Sequence, residues 1–290
     1  MTDTLANAAK PSREALRAVV ASMMVYVDFD SGSDHRIKIA ADWAAKFDAT
    51  LIGVAGWLPG REAGGWFAAE LERPEDRTDR ILGELNKLDE RFRTLVGRKV
   101  RNVEWRGSYH FPREVVPAEA RAADLVIIPA QPVAEDAYHA FDPGTILLNT
   151  GRPVLVVPDG AAGAIGKRVL VAWKEAREAR RAVQSALPYL DVADHVVVAE
   201  VAEDPTDAAA RAHLADVETY LLRHGITVHE KSVLGAQGSA SQQLIGVAER
   251  EGADLIVAGA YGHTRLGEWV FGGVTRDLLQ TSKIGCLFGN

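Results

Sequence analysis

The sequence reads Ala122-Ala123-Asp124-Leu125-Val126-Ile127 near its middle and Gly252-Ala253-Asp254-Leu255-Ile256-Val257 near its end. In both places, small residues and an aspartate precede a short run of apolar side chains. Short apolar runs without alternation are typical of strands that are buried on both faces of a parallel sheet. Because the two stretches are similar in letters as well as in pattern, they indicate that one α/β unit occurs twice.

Around these two stretches, further apolar runs alternate with segments whose apolar residues have helical spacing. The strands predicted for the first copy are Met23–Val27, Thr50–Ala55, Val100–Trp105, Leu125–Ile128 and Pro153–Val157. The strands predicted for the second copy are Val169–Ala172, His195–Val201, Thr227–Val233, Leu255–Ala258 and Ile284–Phe288. The helices predicted between them are Asp34–Phe47, Glu75–Leu95, Glu114–Ala123, Glu175–Leu190, Pro205–His224, Ser239–Glu251 and Val274–Leu279. This alternation implies right-handed βαβ crossovers and parallel sheets.

The length of 290 residues suits two domains, each large enough to bury its own core. We predict an N-terminal domain over residues 1–160 and a C-terminal domain over residues 161–290, joined by a Gly- and Ala-rich linker, Asp159–Lys167. The predicted fold class is α/β, with two tandem Rossmann-like domains, each an open five-stranded parallel sheet with helices on both faces. The first copy also carries a Gly- and Trp-rich insertion, Gly56–Arg73.

The composition argues against nucleic acid, membranes and metal ions as partners of this protein. The formal net charge of −7 argues against nucleic acid, because phosphate binding needs a basic surface. The longest apolar runs are far shorter than a membrane span, and Met1–Arg13 contains no apolar core of a signal peptide. The single cysteine excludes an internal disulfide framework, and none of the eight histidines has metal-site spacing. We therefore expect a cytoplasmic protein that binds neither nucleic acid nor membrane.

The loop after the fourth strand of the second copy is the strongest candidate site. Its glycines allow main-chain N–H groups to approach a ligand, and Gly272-Gly273 lies at a predicted helix N-terminus, which favours an anion. Four side chains supply further donors to a phosphate: His263, Arg265, Thr275 and Arg276. The alternative is that these glycines only form turns, and the residues alone do not decide between the two. The loop is not of the Walker type, since no Gly-Lys-Ser/Thr follows.

The spacing Gly259-x2-Gly262-x9-Gly272, between a buried strand and a helix, resembles the ATP-binding signature of the universal stress protein family. The surrounding letters, Gly-His-Thr-Arg-Leu and Gly-Gly-Val-Thr, and the first strand Val169–Ala172 are also similar to that family. The resemblance covers both copies, roughly residues 20–158 and 166–290, so the chain resembles a tandem member. The motif is specific in the second copy and degenerate in the first.

The resemblance implies a fold of the adenine nucleotide alpha hydrolase-like type, whose units pair through their last strands. An unpaired strand edge is a liability, so we expect the two copies to pair with each other within one chain. A homodimer is left open. The resemblance also implies ATP or a related nucleotide, with or without Mg²⁺, as the cofactor. The implied role is that of a stress-response protein that acts by binding or signalling rather than by turnover.

The sequence departs from the family pattern at two positions of the second copy. ATP-binding members usually carry Ser or Thr directly after the third motif glycine, where this chain has Gly273, and an Asp at the end of strand one, where it has Lys174. The first copy keeps that Asp as Asp28 but has Ala130-Gln131-Pro132 in place of the glycines. We therefore expect a nucleotide in the second copy and not in the first, with Thr275 replacing the missing hydroxyl donor.

The predicted nucleotide site lies beyond the carboxyl ends of the strands, where ligands bind in open α/β sheets. Its residues are Ala172, Trp173, Lys174, Val201, Gly259, Gly262, His263, Arg265, Gly272, Gly273, Val274 and Thr275. No catalytic residue and no metal ligand is predicted. For Trp173, stacking on a base and packing in the core are equally open. Two other functions also stay open: a scaffold or sensor without nucleotide, and a slow ATPase, for which Glu268 is the obvious carboxylate within the loop.

Overall fold

The computed structural model describes residues 19–29, 32–57, 74–130, 141–161, 163, 165–236, 238–260 and 273–289. Contacts divide the chain into two compact units. The N-terminal unit is Val20–Gly160, and the C-terminal unit contains the residues from Ala161 onward. Within the described ranges, no helix combines the length and the apolar character that a membrane crossing requires.

The N-terminal unit alternates strands and helices. Its strands are β1 (Ser22–Tyr26), β2 (Thr50–Gly56), β3 (Val103–Ser108), β4 (Leu125–Pro129) and β5 (Val154–Val157). Its helices are α1 (Ser33–Phe47), α2 (Pro74–Val96), α3 (Pro112–Glu119) and α4 (Pro143–Asn149). A short 3₁₀ helix, Ala120–Ala122, follows α3, so the helix predicted over Glu114–Ala123 is divided into two pieces.

The C-terminal unit repeats this order. Its strands are β6 (Arg168–Trp173), β7 (His195–Ala202), β8 (Glu230–Gly235), β9 (Leu255–Gly259) and β10 (Gly285–Gly289). Its helices are α5 (Arg177–Asp191), α6 (Ala208–Arg223), α7 (Ala240–Arg250) and α8 (Gly273–Thr281).

Each unit is built on a five-stranded parallel sheet. The strand order is β3-β2-β1-β4-β5 in the N-terminal unit and β8-β7-β6-β9-β10 in the C-terminal unit. All of the strand pairs within each unit are parallel. The chain therefore winds outward from β1 or β6 in one direction and then reverses, as in doubly wound nucleotide-binding folds. The predicted α/β fold class with open parallel sheets is confirmed.

Two of the predicted strands were misplaced along the sequence. β3 and β8 begin three residues later than the predicted strands that start at Val100 and Thr227. Both lie at the outer end of the sheet of their unit, and both are partly exposed. Because an exposed outer strand does not need a continuous apolar sequence, the hydrophobic pattern did not mark where these strands begin.

The repeated aspartate has the same structural role in both units. The Oδ2 atom of Asp124 accepts hydrogen bonds from the main-chain N–H groups of Ala21 and Ser22, at 2.9 and 3.0 Å. The Oδ1 atom of Asp254 accepts from the main-chain N–H groups of Gly166, Lys167 and Arg168, at 2.8, 3.0 and 3.2 Å. Each carboxylate thereby joins the start of the fourth strand of its unit to the start of the first.

The centre of each sheet explains the apolar runs of the sequence. All of the residues of β4 are buried, as are Leu255–Ala258 of β9. These strands are covered on both faces by helices, so every side chain contributes apolar surface to the core and no alternation appears.

We predict that Asp124→Ala and Asp254→Ala destabilise their units by similar amounts. Each change leaves main-chain N–H groups at the start of a central strand without their acceptor, which costs about 1–3 kcal/mol. Urea unfolding followed by circular dichroism measures the loss. Asp79→Ala, on an exposed turn of α2, is the matched control and should leave the unfolding midpoint unchanged. Equal midpoints for all three variants would contradict the role given to the repeated aspartate.

Candidate functional site

The predicted site lies where the winding of the C-terminal unit reverses. The two strands on either side of this point, β6 and β9, are hydrogen-bonded neighbours, with Ala172 opposite Ala258. The last residues of these strands, Trp173 and Gly259, and the residues after them, Lys174 and Ala260, therefore lie side by side at the same edge of the sheet. This is the position at which open α/β sheets bind ligands.

Gly259 is required by packing at this edge. A Cβ atom on Gly259 would lie 2.7 Å from the carbonyl carbon of Glu178 and 2.8 Å from the main-chain nitrogen of Ala179. Both atoms belong to the first turn of α5, which cannot move away without displacing the helix. The first glycine of the predicted motif thus allows α5 to approach the end of β9, whatever ligand the loop holds.

Thr275 connects the two ends of the glycine-rich loop. Its side chain is buried in the first turn of α8, and its hydroxyl donates a hydrogen bond of 3.3 Å to the main-chain carbonyl of Gly259. Two residues that are distant in the predicted motif are therefore in direct contact. In this structure, the hydroxyl expected to replace the missing phosphate donor is directed at the protein's own main chain.

Gly273 begins α8 and is exposed to solvent. A Cβ atom at this position would meet no atom of the described residues within 4 Å. Packing against the described residues therefore does not impose the departure from Ser or Thr. Val274, the next residue of the predicted site, is half-buried.

The other predicted residues lie at the ends of β6 and β7. Lys174 is exposed, Ala172 is buried and Val201 is half-buried. Trp173 is only 8% exposed, and within the described residues its indole Nε1 has no hydrogen-bond partner. In this structure Trp173 thus belongs to the core of the unit.

Four residues of the predicted site fall outside the described residues, namely Gly262, His263, Arg265 and Gly272. Glu268, the carboxylate considered for ATP hydrolysis, also lies outside them. Their places in the site stay predictions from the sequence.

Sequence reasoning missed a polar pair beside the predicted site, in which a buried glutamate contacts a half-buried histidine. Glu200 is the residue of β7 opposite Trp173, and its side chain is almost fully buried. Its Oε1 atom lies 3.4 Å from Nδ1 of His213 on α6. Burial raises the pKa of Glu200, and the contact with His213 opposes that shift. A glutamate that interrupts the apolar run of a predicted strand was the signal that could have identified it.

The corresponding place in the N-terminal unit is filled by the protein's own side chains. Nη2 of Arg36 donates a hydrogen bond of 2.6 Å to Oδ2 of Asp28, and both side chains are almost fully buried. Nε of Arg36 also donates to the main-chain carbonyl of Tyr26, at 3.1 Å. The ring of Tyr26 stacks on Phe141 at a centroid distance of 4.3 Å. The aspartate that resembles a ligand residue of the family is therefore held by α1.

Comparison with known proteins gives a family match in the C-terminal unit. Residues 166–288 match the model of the Universal stress protein family. No curated protein matches the chain in sequence.

Solved structures share the fold over nearly the whole chain. A universal stress protein from Archaeoglobus fulgidus DSM 4304 has a TM-score of 0.69 over 93% of this chain and 97% of its own, at 15% identity. A protein of unknown function from Pseudomonas aeruginosa PAO1 has a TM-score of 0.60 over 94% of this chain and 93% of its own, at 16% identity. At these identities, the likeness extends to the fold and not to the ligand.

We predict that Gly259→Ala destabilises the C-terminal unit and that Gly273→Ala does not. The added methyl group at residue 259 overlaps the main chain of α5, and such overpacking costs about 1–3 kcal/mol. The same methyl group at residue 273 has free space around it. Thermal unfolding of the two variants beside the unchanged protein measures the difference. A Gly259→Ala protein with an unchanged unfolding midpoint would refute the packing role of this glycine.

We predict that Arg36→Met destabilises the N-terminal unit far more than Lys99→Met. Removing Arg36 leaves the buried carboxylate of Asp28 without its guanidinium, which costs about 3–5 kcal/mol. Lys99 pairs with Asp42 at the surface, where an ion pair contributes little. Urea unfolding compares the two variants with the double variant Arg36→Met/Asp28→Asn, which should recover part of the loss. If the double variant is as unstable as Arg36→Met alone, the buried charge is not the cause.

Proposed function

We propose that the C-terminal unit binds ATP or a related nucleotide and that the protein acts in the stress response by binding and signalling rather than by turnover. The observation that carries this proposal is the way both ends of the glycine-rich loop are fixed at the carboxyl edge of the sheet. One end is fixed by the contact of Gly259 with α5, and the other by the hydrogen bond from Thr275 to Gly259. We place this activity in the cytoplasm.

The chemistry of the edge favours the phosphate end of a nucleotide. The first N–H groups of α8 have no partner within the helix, and its dipole favours negative charge at the same end. Gly273 carries no side chain that would keep an anion away from these groups. Lys174 is exposed at the end of the neighbouring strand and adds a positive charge. Together these features suit a polyphosphate better than a neutral ligand.

Binding without turnover agrees with the carboxylates near this edge. Glu175 forms an ion pair with Arg180, and Glu178 forms one with Arg177. A general base needs a free acceptor within reach of an attacking water. Both of these carboxylates are paired with an arginine, and Glu268 lies outside the described residues, so the proposal includes no catalytic residue.

A second candidate function is a scaffold or sensor of the same fold that holds no nucleotide. Two observations favour it: the hydroxyl of Thr275 is committed to Gly259, and Gly273 supplies no hydroxyl in its place. The two candidates differ in one measurable property, which is the affinity for Mg-ATP.

We predict that Gly273→Ser strengthens Mg-ATP binding by about two- to tenfold, because it restores one hydrogen bond to the phosphates, worth about 0.5–1.5 kcal/mol. Isothermal titration calorimetry with the full chain measures the affinity. The matched control is Gly83→Ser, since residue 83 lies in a helix of the N-terminal unit and its added Cβ also has free space. Lys174→Ala should weaken the binding of Mg-ATP while leaving that of adenosine unchanged.

The outcomes separate the two candidates. Saturable heat that responds to residues 273 and 174 but not to residue 83 supports the nucleotide site. If neither the unchanged protein nor Gly273→Ser gives heat with high micromolar Mg-ATP, the nucleotide proposal fails and the scaffold remains.

A further inference from the structure

A cavity of about 450 Å³ opens between α5 and α6 of the C-terminal unit. Its volume lies within the range of small-molecule sites, about 300–1,000 Å³. The cavity is lined by residues of these two helices, by Trp173 and by Glu175. Gly259, Gly273 and Thr275 do not line it. It is therefore a concave site whose lining is separate from the described ends of the glycine-rich loop.

Most of the residues that α5 and α6 contribute to the lining of the cavity are polar or aromatic. Four residues of α6 share this side at positions three or four apart: His213, Asp216, Val217 and Tyr220. Three residues of α5 face them: Arg180, Val183 and Gln184. Only two of these side chains are aliphatic, and a space remains between the helices here.

The inner part of the cavity is apolar and aromatic. Trp173 is almost fully buried, and Val183 and Val217 are buried on either side. The ring of Tyr220 is half-buried and continues the aromatic surface toward the opening. These side chains suit a ligand with an apolar body, and the faces of Trp and Tyr also attract a positive charge.

The outer part of the cavity has an excess of negative charge. Among the described residues that line the cavity, Arg180 is the only Lys or Arg, and it is paired with Glu175. Asp216 is exposed at the opening and forms no ion pair with another described residue. The buried carboxyl of Glu200 lies 3.4 Å from Nδ1 of His213, which lines the cavity. This arrangement repels anions and leaves Asp216 available to a cation.

We propose that this cavity binds a small organic cation with an apolar body, of the aralkylammonium class. Its apolar part packs against Trp173 and Val217. Its ammonium group lies at the opening, where Asp216 supplies the opposite charge and Tyr220 a ring face. This site goes beyond the proposed nucleotide function and does not depend on it.

Ligand-observed NMR titration of the full chain, without nucleotide, tests the proposal with three probes of similar size and different charge. These are 2-phenylethylammonium, the neutral 2-phenylethanol and the anionic 3-phenylpropionate. We expect saturable binding of the ammonium, at least threefold weaker binding of the alcohol and at least tenfold weaker binding of the carboxylate. Equal affinities for the ammonium and the carboxylate, or no saturable binding of the ammonium, would overturn the proposal.

Two charge-matched variants locate the binding. Asp216→Asn should weaken ammonium binding at least fivefold and leave the weak alcohol binding unchanged. Glu218→Gln removes the same charge from α6 outside the cavity, at a residue that pairs with Lys231, and should have no effect. Gly273→Ser should also leave ammonium binding unchanged, which separates this result from that of the nucleotide experiment. If Asp216→Asn and Glu218→Gln weaken binding equally, the ammonium is not in the cavity and the proposal fails.

Discussion

The carboxylate of the repeated aspartate is the interaction on which both units depend. In each unit it accepts main-chain N–H groups at the start of the first strand and thereby holds the fourth strand beside the first. These are the two strands between which the winding reverses. The opposite, carboxyl ends of the same pair define the position of a ligand site in this class of fold. The aspartate thus reinforces, at one end, the strand pair whose other end brings the two loops together, and it occurs in both copies of the sequence.

In the C-terminal unit, main-chain contacts hold the two described ends of the glycine-rich loop. The absence of a side chain at Gly259 lets α5 lie against β9, and the carbonyl of the same residue accepts from Thr275. A loop whose two ends are fixed in this way loses less conformational entropy on binding than one that is free at both ends. Gly259 therefore has two structural roles: it allows α5 to pack against β9, and its carbonyl holds the start of α8. Because these roles need no ligand, a glycine at this position does not by itself show that a ligand binds.

The extent to which the sequence predicted the structure follows from burial. The central strands were found because they are covered on both faces and must be apolar throughout, whereas β3 and β8, at the outer ends of their sheets, were misplaced. The site was located from its glycines, but the partner of the Thr275 hydroxyl is set by tertiary contact and leaves no mark in the sequence. For the pair formed by Glu200 and His213, the glutamate within an apolar strand is visible in the sequence, but its partner on α6 is not, because the two residues lie on different elements.

Each unit has a positively charged side chain near the carboxyl end of its first strand, but the two side chains differ in burial and pairing. In the N-terminal unit, Arg36 is buried and forms an ion pair with Asp28, so its charge is neutralised within the protein. In the C-terminal unit, Lys174 stands at the end of the first strand, exposed, and forms no ion pair with another described residue. A buried, paired cation has no capacity left for an external anion, whereas an exposed, unpaired one keeps it. At this corner, the described cation of the N-terminal unit is therefore buried and paired, whereas that of the C-terminal unit is exposed.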